Sequence, residues 1–349
     1  MTEHELTTAV KNFYNDLAIN TNLVSVVNKN QLSQKYNELI SQLHPEIMKR
    51  YYGSGFFIPE KLGGLKVLDM GCGSGSLVYI LSKLVGKDGF VNGVDITPNL
   101  ILEPKKHSNY HKELWGYTEA NFEFKVCNIE QFDDLGFKEQ EFDVIVCNGV
   151  ICVCPDQEIV FKNANRLLKD GGEFCLSDVY ADRPRPAEAM ADSKLFSLGT
   201  TGSMLIEELN RLCELGGFSK PYLKGAAPVE FKNMEIHESV NKVQLACAEW
   251  RLFKMPPGAR RSAAEVTYNG NIFGFEDTFN WDVTTEFKTG QPVTVDVELA
   301  SILYTTRFRD SFNFKDINAP VTTPRFQNPY TYLDELRTRG GEVEYAYTI

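Results

Sequence analysis

The chain opens with two stretches whose apolar residues recur at helical spacing, around residues 4–18 and 29–50, parted by the polar run Asn20 to Asn30. Both read as amphipathic helices that cover a sheet or a pocket. From Leu65 the pattern changes to short apolar runs separated by helical stretches: KVLDM, LVYILSKLVG, FVNGVD, a polar helix to Glu119, FEFKVCN and FDVIVCNGVICV. A helix in IVFKNANRLLK then ends at Gly171-Gly172, ahead of the run EFCLSDVYA. Strands alternating with helices in this way predict a parallel sheet covered on both faces.

The breaker Arg183-Pro184-Arg185-Pro186 opens a mixed segment that closes in the strand-like QLACAEWRLFK, so residues 182–255 are expected to cap the sheet. Met255-Pro256-Pro257-Gly258 reads as a linker into EVTYNGNI, FNWDVTTEFKTG and PVTVDV, with a helix around 297–304. The expected organisation is therefore a helical cover over 1–60, a ligand-binding core over 61–181, the cap over 182–255, a small β-rich domain over 262–315 and an extended surface tail over 316–349.

Composition narrows the function classes. With 43% hydrophobic and 24% charged residues in 349, the chain folds rather than staying disordered. Its formal charge of −11 disfavours nucleic acid and acidic membranes as partners. No run approaches the roughly 18 to 20 apolar residues of a membrane span, and MTEHELTTAV lacks the regions of a signal peptide. A cytoplasmic setting is expected, with the eight cysteines reduced.

The strongest chemical signal is Val67-Leu68-Asp69-Met70-Gly71-Cys72-Gly73-Ser74-Gly75, a buried strand that runs into a glycine turn and then a helix. Glycine there lets the backbone turn tightly and approach a ligand with no Cβ in the way. A dinucleotide-binding unit competes for this pattern, but it prefers G-x-G-x-x-G and position 76 is serine. Asp95 ends the next strand, where a carboxylate accepts both ribose hydroxyls; its blander role is a turn residue. The third strand ends in Cys127-Asn128-Ile129-Glu130, suited to an adenine against Ile129, and the fourth ends in Asn148-Gly149, facing the reactive end of the ligand.

Together DMGCGSG, Asp95, the NIE segment, the Asn148 strand end and LLKDGGEF resemble class I S-adenosylmethionine methyltransferases. The resemblance implies a Rossmann-like α/β fold with a seven-stranded sheet, one strand antiparallel, and S-adenosyl-L-methionine as cofactor. The implied cofactor set is Asp69, Gly71, Cys72, Gly73, Gly75, Asp95, Ile96, Asn128, Ile129, Glu130 and Asn148, the glycines at the methionine part, Asp95 at the ribose and 127–130 at the adenine.

A closer likeness covers almost the whole chain. RYYGSGFFIPE, LSKLVGKDGFVNGVDITPN, EFCLSDVYADR, WRLFK and VTYNGNI are similar, in sequence and order, to arsenite S-adenosylmethionine methyltransferases. Those enzymes hold trivalent arsenic through cysteine thiolates, since a soft acceptor needs soft ligands. By the resemblance, the family's cysteine positions fall here at Val24, Ser54, Gly149 and Gly199. The expectation is a methyltransferase whose small-molecule acceptor is not arsenite. Two alternatives stay open: arsenite chemistry through displaced thiols at Cys147, Cys152 and Cys154, and a silent cofactor-binding partner protein.

For the acceptor pocket the candidates are Tyr51, Tyr52, Asn148, Gly149, Asp178, Tyr180 and Gly199. In the resembling family the Tyr51-Tyr52 segment lies beside the sulfonium, where an aromatic face can contact the methyl donor. Asp178, Tyr180 and Glu207 are candidates to assist a departing proton. The five histidines form no catalytic grouping, and no metal site is expected.

Overall fold

The computed structural model describes residues 2–19, 32–52, 55–132, 135–259, 262–341, 343–347 and 349. A seven-stranded sheet forms its centre, from β1 (Lys66–Met70), β2 (Phe90–Asp95), β3 (Phe122–Val126), β4 (Phe142–Asn148), β5 (Leu168–Ala181), β6 (Tyr222–Pro228) and β7 (Leu245–Phe253). Their order is β3-β2-β1-β4-β5-β7-β6. The pairs from β3 through β5 are parallel, while β7 runs antiparallel to both β5 and β6. The strand order reverses direction at β1 and β4, the point at which open α/β sheets leave a crevice beyond their carboxyl ends.

Strand alternation builds two cores. Leu68, Met70, Ile145, Cys147, Phe174 and Leu176 face one side, and Val67, Val144, Val146 and Cys175 face the other. Burial on both faces explains why these strands read as continuous apolar runs. The α/β expectation stands, with three corrections.

The segment 182–255 is not all cap: β6 and β7 lie within it and complete the sheet. Glycine and proline in YLKGAAP hide β6 as a loop, while β7 is the run already read as strand-like and takes its place in the sheet between β5 and β6. The rest of its described regular structure is the helices Ala187–Met190, Ser193–Ser197, Ile206–Leu215 and Met234–Ser239. The helix expected over 29–50 is, within the described residues, two helices, Gln34–Ser41 and Pro45–Met48; Pro45 has no N–H to continue a turn and His44 Nδ1 caps the second by accepting from Glu46 N at 3.2 Å. The tail is not a loose extension. Its helix Pro329–Thr338 buries Leu333, and the Tyr330 hydroxyl donates to Tyr180 O and Gln244 O at 2.9 and 2.8 Å. Beyond it, Ala346 N donates to Pro228 O and Ile349 N to Glu230 O, so the chain end pairs with the segment leaving β6.

The C-terminal domain is β-rich as expected. β8 (Ala263–Tyr268) is flanked by β11 (Pro292–Val295) and β12 (Phe312–Ile317), with a hairpin of β9 (Thr278–Asn280) and β10 (Glu286–Lys288) and a helix Val297–Thr305. Its aromatic core of Tyr268, Phe279, Trp281, Phe287 and Phe308 meets the sheet at Arg251, which is fully buried on β7. The Arg251 guanidinium binds Glu173 through Nε and Nη2 at 2.7 and 3.1 Å and lies 4.0 Å over the Trp281 ring. Arg307 binds the same carboxylate from the domain side at 2.5 Å. Burial alone would raise the Glu173 carboxyl, but the two guanidiniums hold it down at about 2.

Candidate active site

A cleft with about 980 Å³ of free space, part of it open to solvent, lies beyond the carboxyl ends of β1 to β4. Gly71, Gly73, Asp95, Ile96, Asn128, Ile129, Glu130, Asn148, Gly149 and Tyr52 line it, so most of the expected cofactor residues meet in one place.

The three glycines of the turn are there for different reasons. All have positive φ, at 77°, 49° and 78°. A Cβ on Gly71 would stand 2.3 Å from Val150 Cγ2, and one on Gly75 would stand 2.7 Å from Pro104 and 2.8 Å from Phe124. Gly75 does not line the cleft: it permits close packing of the turn. At Gly73 a Cβ would meet nothing within 4 Å, because that position faces the open cleft.

Asp95 ties the turn to the next strand. Its carboxylate accepts from Gly73 N at 3.0 Å and Thr97 N at 2.8 Å, while burial raises its pKa. Asp69 and Cys72 are buried beneath the turn rather than in the cleft wall. Asp69 Oδ2 has no hydrogen-bond partner among the described residues, and burial followed by the Asp95 charge pushes its carboxyl up to about 8. On the far wall, Asn128 Oδ1 accepts from Glu130 N at 3.0 Å and Glu130 Oε1 accepts from Asp156 N at 2.8 Å, so this loop is fixed by its own polar side chains.

A smaller space of about 330 Å³, much of it open to solvent, adjoins the cleft and is lined by Tyr14, Tyr52, Gly149, Cys152, Val179, Leu198 and Tyr347. Tyr14, Tyr52 and Gly149 line both spaces. Burial pushes the phenols of these tyrosines and the Cys152 thiol above their ordinary values.

Several expected acceptor residues sit elsewhere. Tyr51 is buried and stacked on Phe56, and its hydroxyl and the Asn148 amide both donate to Gly55 O, at 2.5 and 2.7 Å. Strand alternation turns Val179, not Asp178 or Tyr180, toward the small cavity. The Asp178 carboxylate accepts from Ile151 N at 2.7 Å and Cys152 N at 3.3 Å, holding the 3-10 turn Ile151–Val153, and Tyr180 packs against Trp250 in the core. Glu207 is exposed on the helix Ile206–Leu215 and lines neither space.

The helix Glu3–Ile19 supplies Thr7, Tyr14 and Leu17 to the cleft, and the tail supplies Tyr347. The amphipathic pattern found this helix as a cover but gave no reason to single out Tyr14. Nothing in the tail's composition pointed to Tyr347.

Residues 61–217 match a methyltransferase domain and residues 261–339 match the arsenite methyltransferase C-terminal domain. The human arsenite methyltransferase is 35% identical over 286 residues, covering 82% of this chain and 76% of the human protein. The enzyme of Aquipseudomonas alcaligenes is 37% identical over 279 residues, covering 79% of this chain and 80% of its own. The chain belongs to the arsenite methyltransferase family. The crystal structure of an arsenic(III) S-adenosylmethionine methyltransferase from Chlamydomonas reinhardtii superposes with a TM-score of 0.77 at 29% identity, over 84% of this chain and 99% of that one. The protein is therefore an S-adenosylmethionine-dependent methyltransferase, which removes the dinucleotide reading of the glycine turn. The cleft fits that cofactor: a glycine open to the ligand at 73, a buried carboxylate at 95 and an apolar wall at Ile129 follow one another along it.

Of the four positions that the likeness aligns with the family's cysteines, Val24 and Ser54 lie outside the described residues. Gly149 lines both cavities, and a Cβ on Gly199 would stand 2.8 Å from Cys152 Sγ. The candidate substitute thiols diverge: Cys147 packs in the core, Cys152 faces the small cavity and Cys154 faces the cleft. Among the described residues no three His, Cys, Asp or Glu side chains are grouped to hold a metal ion, and no helix is long and apolar enough to cross a membrane.

Proposed function

We propose that this chain methylates a small organic acceptor rather than arsenite, with the acceptor in the small cavity and the cofactor in the cleft. The lining of the small cavity carries the reading: among the described residues, three tyrosines, Gly149, Val179 and Leu198 surround a single thiol, Cys152. Capture of a trivalent metalloid needs several soft sulfur ligands at one point.

In this reading the Gly71–Gly73 turn holds the methionine part of the cofactor, Asp95 accepts from the ribose, Ile96 and Ile129 sandwich the adenine, and Asn128 and Glu130 read its edge. Asn148 and Gly149 flank the sulfur end. S-adenosylmethionine supplies a methyl group already activated on a cationic sulfur. The protein's task is then to hold the acceptor in line with that methyl and to exclude water, which the tyrosine walls do. No catalytic base is required of the lining.

Calorimetric titration of the reduced full-length protein tests the reading. One equivalent of S-adenosylmethionine is expected to bind, and arsenite added to that complex is expected to give no saturable heat. Stoichiometric arsenite binding would contradict it.

A further inference from the structure

Three tyrosines from distant segments meet around the small cavity: Tyr14 on the first helix, Tyr52 ahead of β1 and Tyr347 in the tail. The Tyr14 and Tyr52 ring centroids are 6.1 Å apart at 55°, and those of Tyr52 and Tyr347 are 6.4 Å apart at 59°. Tyr14 is anchored by its hydroxyl, which donates to Ser197 O at 3.2 Å. Tyr347 is anchored by backbone: Ala346 N donates to Pro228 O at 2.9 Å, and Tyr347 O accepts from Glu230 N at 3.0 Å. The family's C-terminal domain matches only as far as residue 339, so the segment that delivers Tyr347 lies beyond it.

The rest of the lining decides which nucleophile the cavity suits. Gly149, Val179 and Leu198 are apolar, and the Cys152 thiol is hydrogen-bonded to Asp178 behind the wall. Among the described residues no carboxylate, histidine or lysine lines the space. An alcohol, phenol or thiol acceptor must surrender a proton to a base, and burial makes the lining phenols and thiol hold their own protons. A neutral amine nitrogen already offers a lone pair. As its N–C bond forms and the C–S bond breaks, the electron pair stays on sulfur and the positive charge passes from sulfur to nitrogen. Any proton on that nitrogen leaves to water after release. Aromatic faces stabilise a cation at either end of this transfer.

We propose that Tyr14, Tyr52 and Tyr347 form an aromatic site for a small neutral amine, of the aromatic or heteroaromatic kind that carries little charge at pH 7, and that Tyr347 determines acceptor specificity. This rests on the acceptor reading above and narrows it. The space is continuous with the cleft past Tyr14, Tyr52 and Gly149, which line both, so an acceptor reaches the tyrosines from the cofactor side.

The test uses full-length reduced protein with S-adenosylmethionine and five probes, aniline, pyridine, imidazole, phenol and 2-mercaptoethanol, with S-adenosylhomocysteine as the readout. Turnover is expected with at least one of the three amines and only background with phenol and the thiol. Tyr347→Ala is expected to raise the amine KM about tenfold with the dissociation constant of S-adenosylmethionine within about twofold, and Tyr347→Phe, which keeps the ring, to stay within about threefold of the parent KM. Thermal melting of both variants, with Tyr52→Phe as a second probe of the cage, separates lost recognition from lost fold. Turnover of phenol or thiol without any amine, no amine turnover while S-adenosylmethionine still binds, or a parental amine KM in a folded Tyr347→Ala variant each overturns the proposal. Arsenite-dependent turnover alone would overturn the acceptor reading itself.

Discussion

The cofactor cleft and the small cavity share three residues yet are built in opposite ways. The cleft is made largely by a glycine turn, strand ends and side-chain oxygens of Asp95 and Asn128 that accept from main-chain N–H groups, with Thr7, Tyr14, Leu17 and Tyr52 completing its lining. The small cavity is made by side chains delivered from the first helix, the loop before β1, the 3-10 turn after β4 and the tail. A site whose parts are local in sequence constrains that sequence into a motif. A site whose parts converge only through tertiary structure leaves the acceptor free to change while the cofactor stays.

The sharpest way to break this division is at Asp95. In the proposed role Asp95→Ala removes the acceptor of the ribose hydroxyls, and two charge-assisted hydrogen bonds at about 1.5 kcal/mol each correspond to roughly a hundredfold weaker S-adenosylmethionine binding; the bonds lost from Gly73 N and Thr97 N add a stability cost read in unfolding. Calorimetry should show that loss with acceptor KM changed little at saturating cofactor; comparable losses on both sides would dissolve the distinction between the two spaces.

A second comparison lies within the glycine turn. Gly75→Ala forces a Cβ to within 2.7 Å of Pro104 and 2.8 Å of Phe124 at a φ of 78°, so denaturant unfolding should register about 1–3 kcal/mol of lost stability. Gly73→Ala pushes into open space, so its stability cost should be smaller while its cofactor affinity falls. Equal effects on stability would mean that Gly73 does not face the ligand.

A third comparison is a slope in pH. The Asp69 carboxyl is pushed up to about 8 from 3.8, so between those values the folded protein keeps a proton that the unfolded chain has lost. Stability contributed by this group is greatest near pH 4, falls as pH rises toward 8 and is flat above. Melting curves without cofactor should show a shallower decline over that window for Asp69→Asn than for the parent, with the two closest near pH 4.

Legibility in the sequence follows the same line. The alternation from Leu65 to Ala181 and the DMGCGSG turn were readable because buried strands and glycine turns act over five to ten residues. Asp95 and Asn148 were readable as strand ends; Ile129, expected at the end of the third strand, lies in the loop that follows Val126. β6 was not, since YLKGAAP carries the residues of a loop and is held in the sheet by pairing with β7. Asp178 and Tyr180 were placed on the correct strand but on the wrong side of the cavity, a choice that alternation leaves open until packing fixes the face. Tyr347 and the Arg251–Glu173–Arg307 cluster join residues far apart in the chain, and no local pattern encodes them.

The measurement that bears most directly on the central claim is the rate of S-adenosylhomocysteine formation by the reduced protein, with arsenite plus thiol in one arm and small organic amines, thiols and hydroxyl compounds in the other. The account predicts background rates with arsenite and turnover with an organic acceptor. Arsenite-dependent turnover that disappears in a Cys152→Ser/Cys154→Ser double variant would contradict it, and would assign the chemistry to thiols displaced from the family's positions.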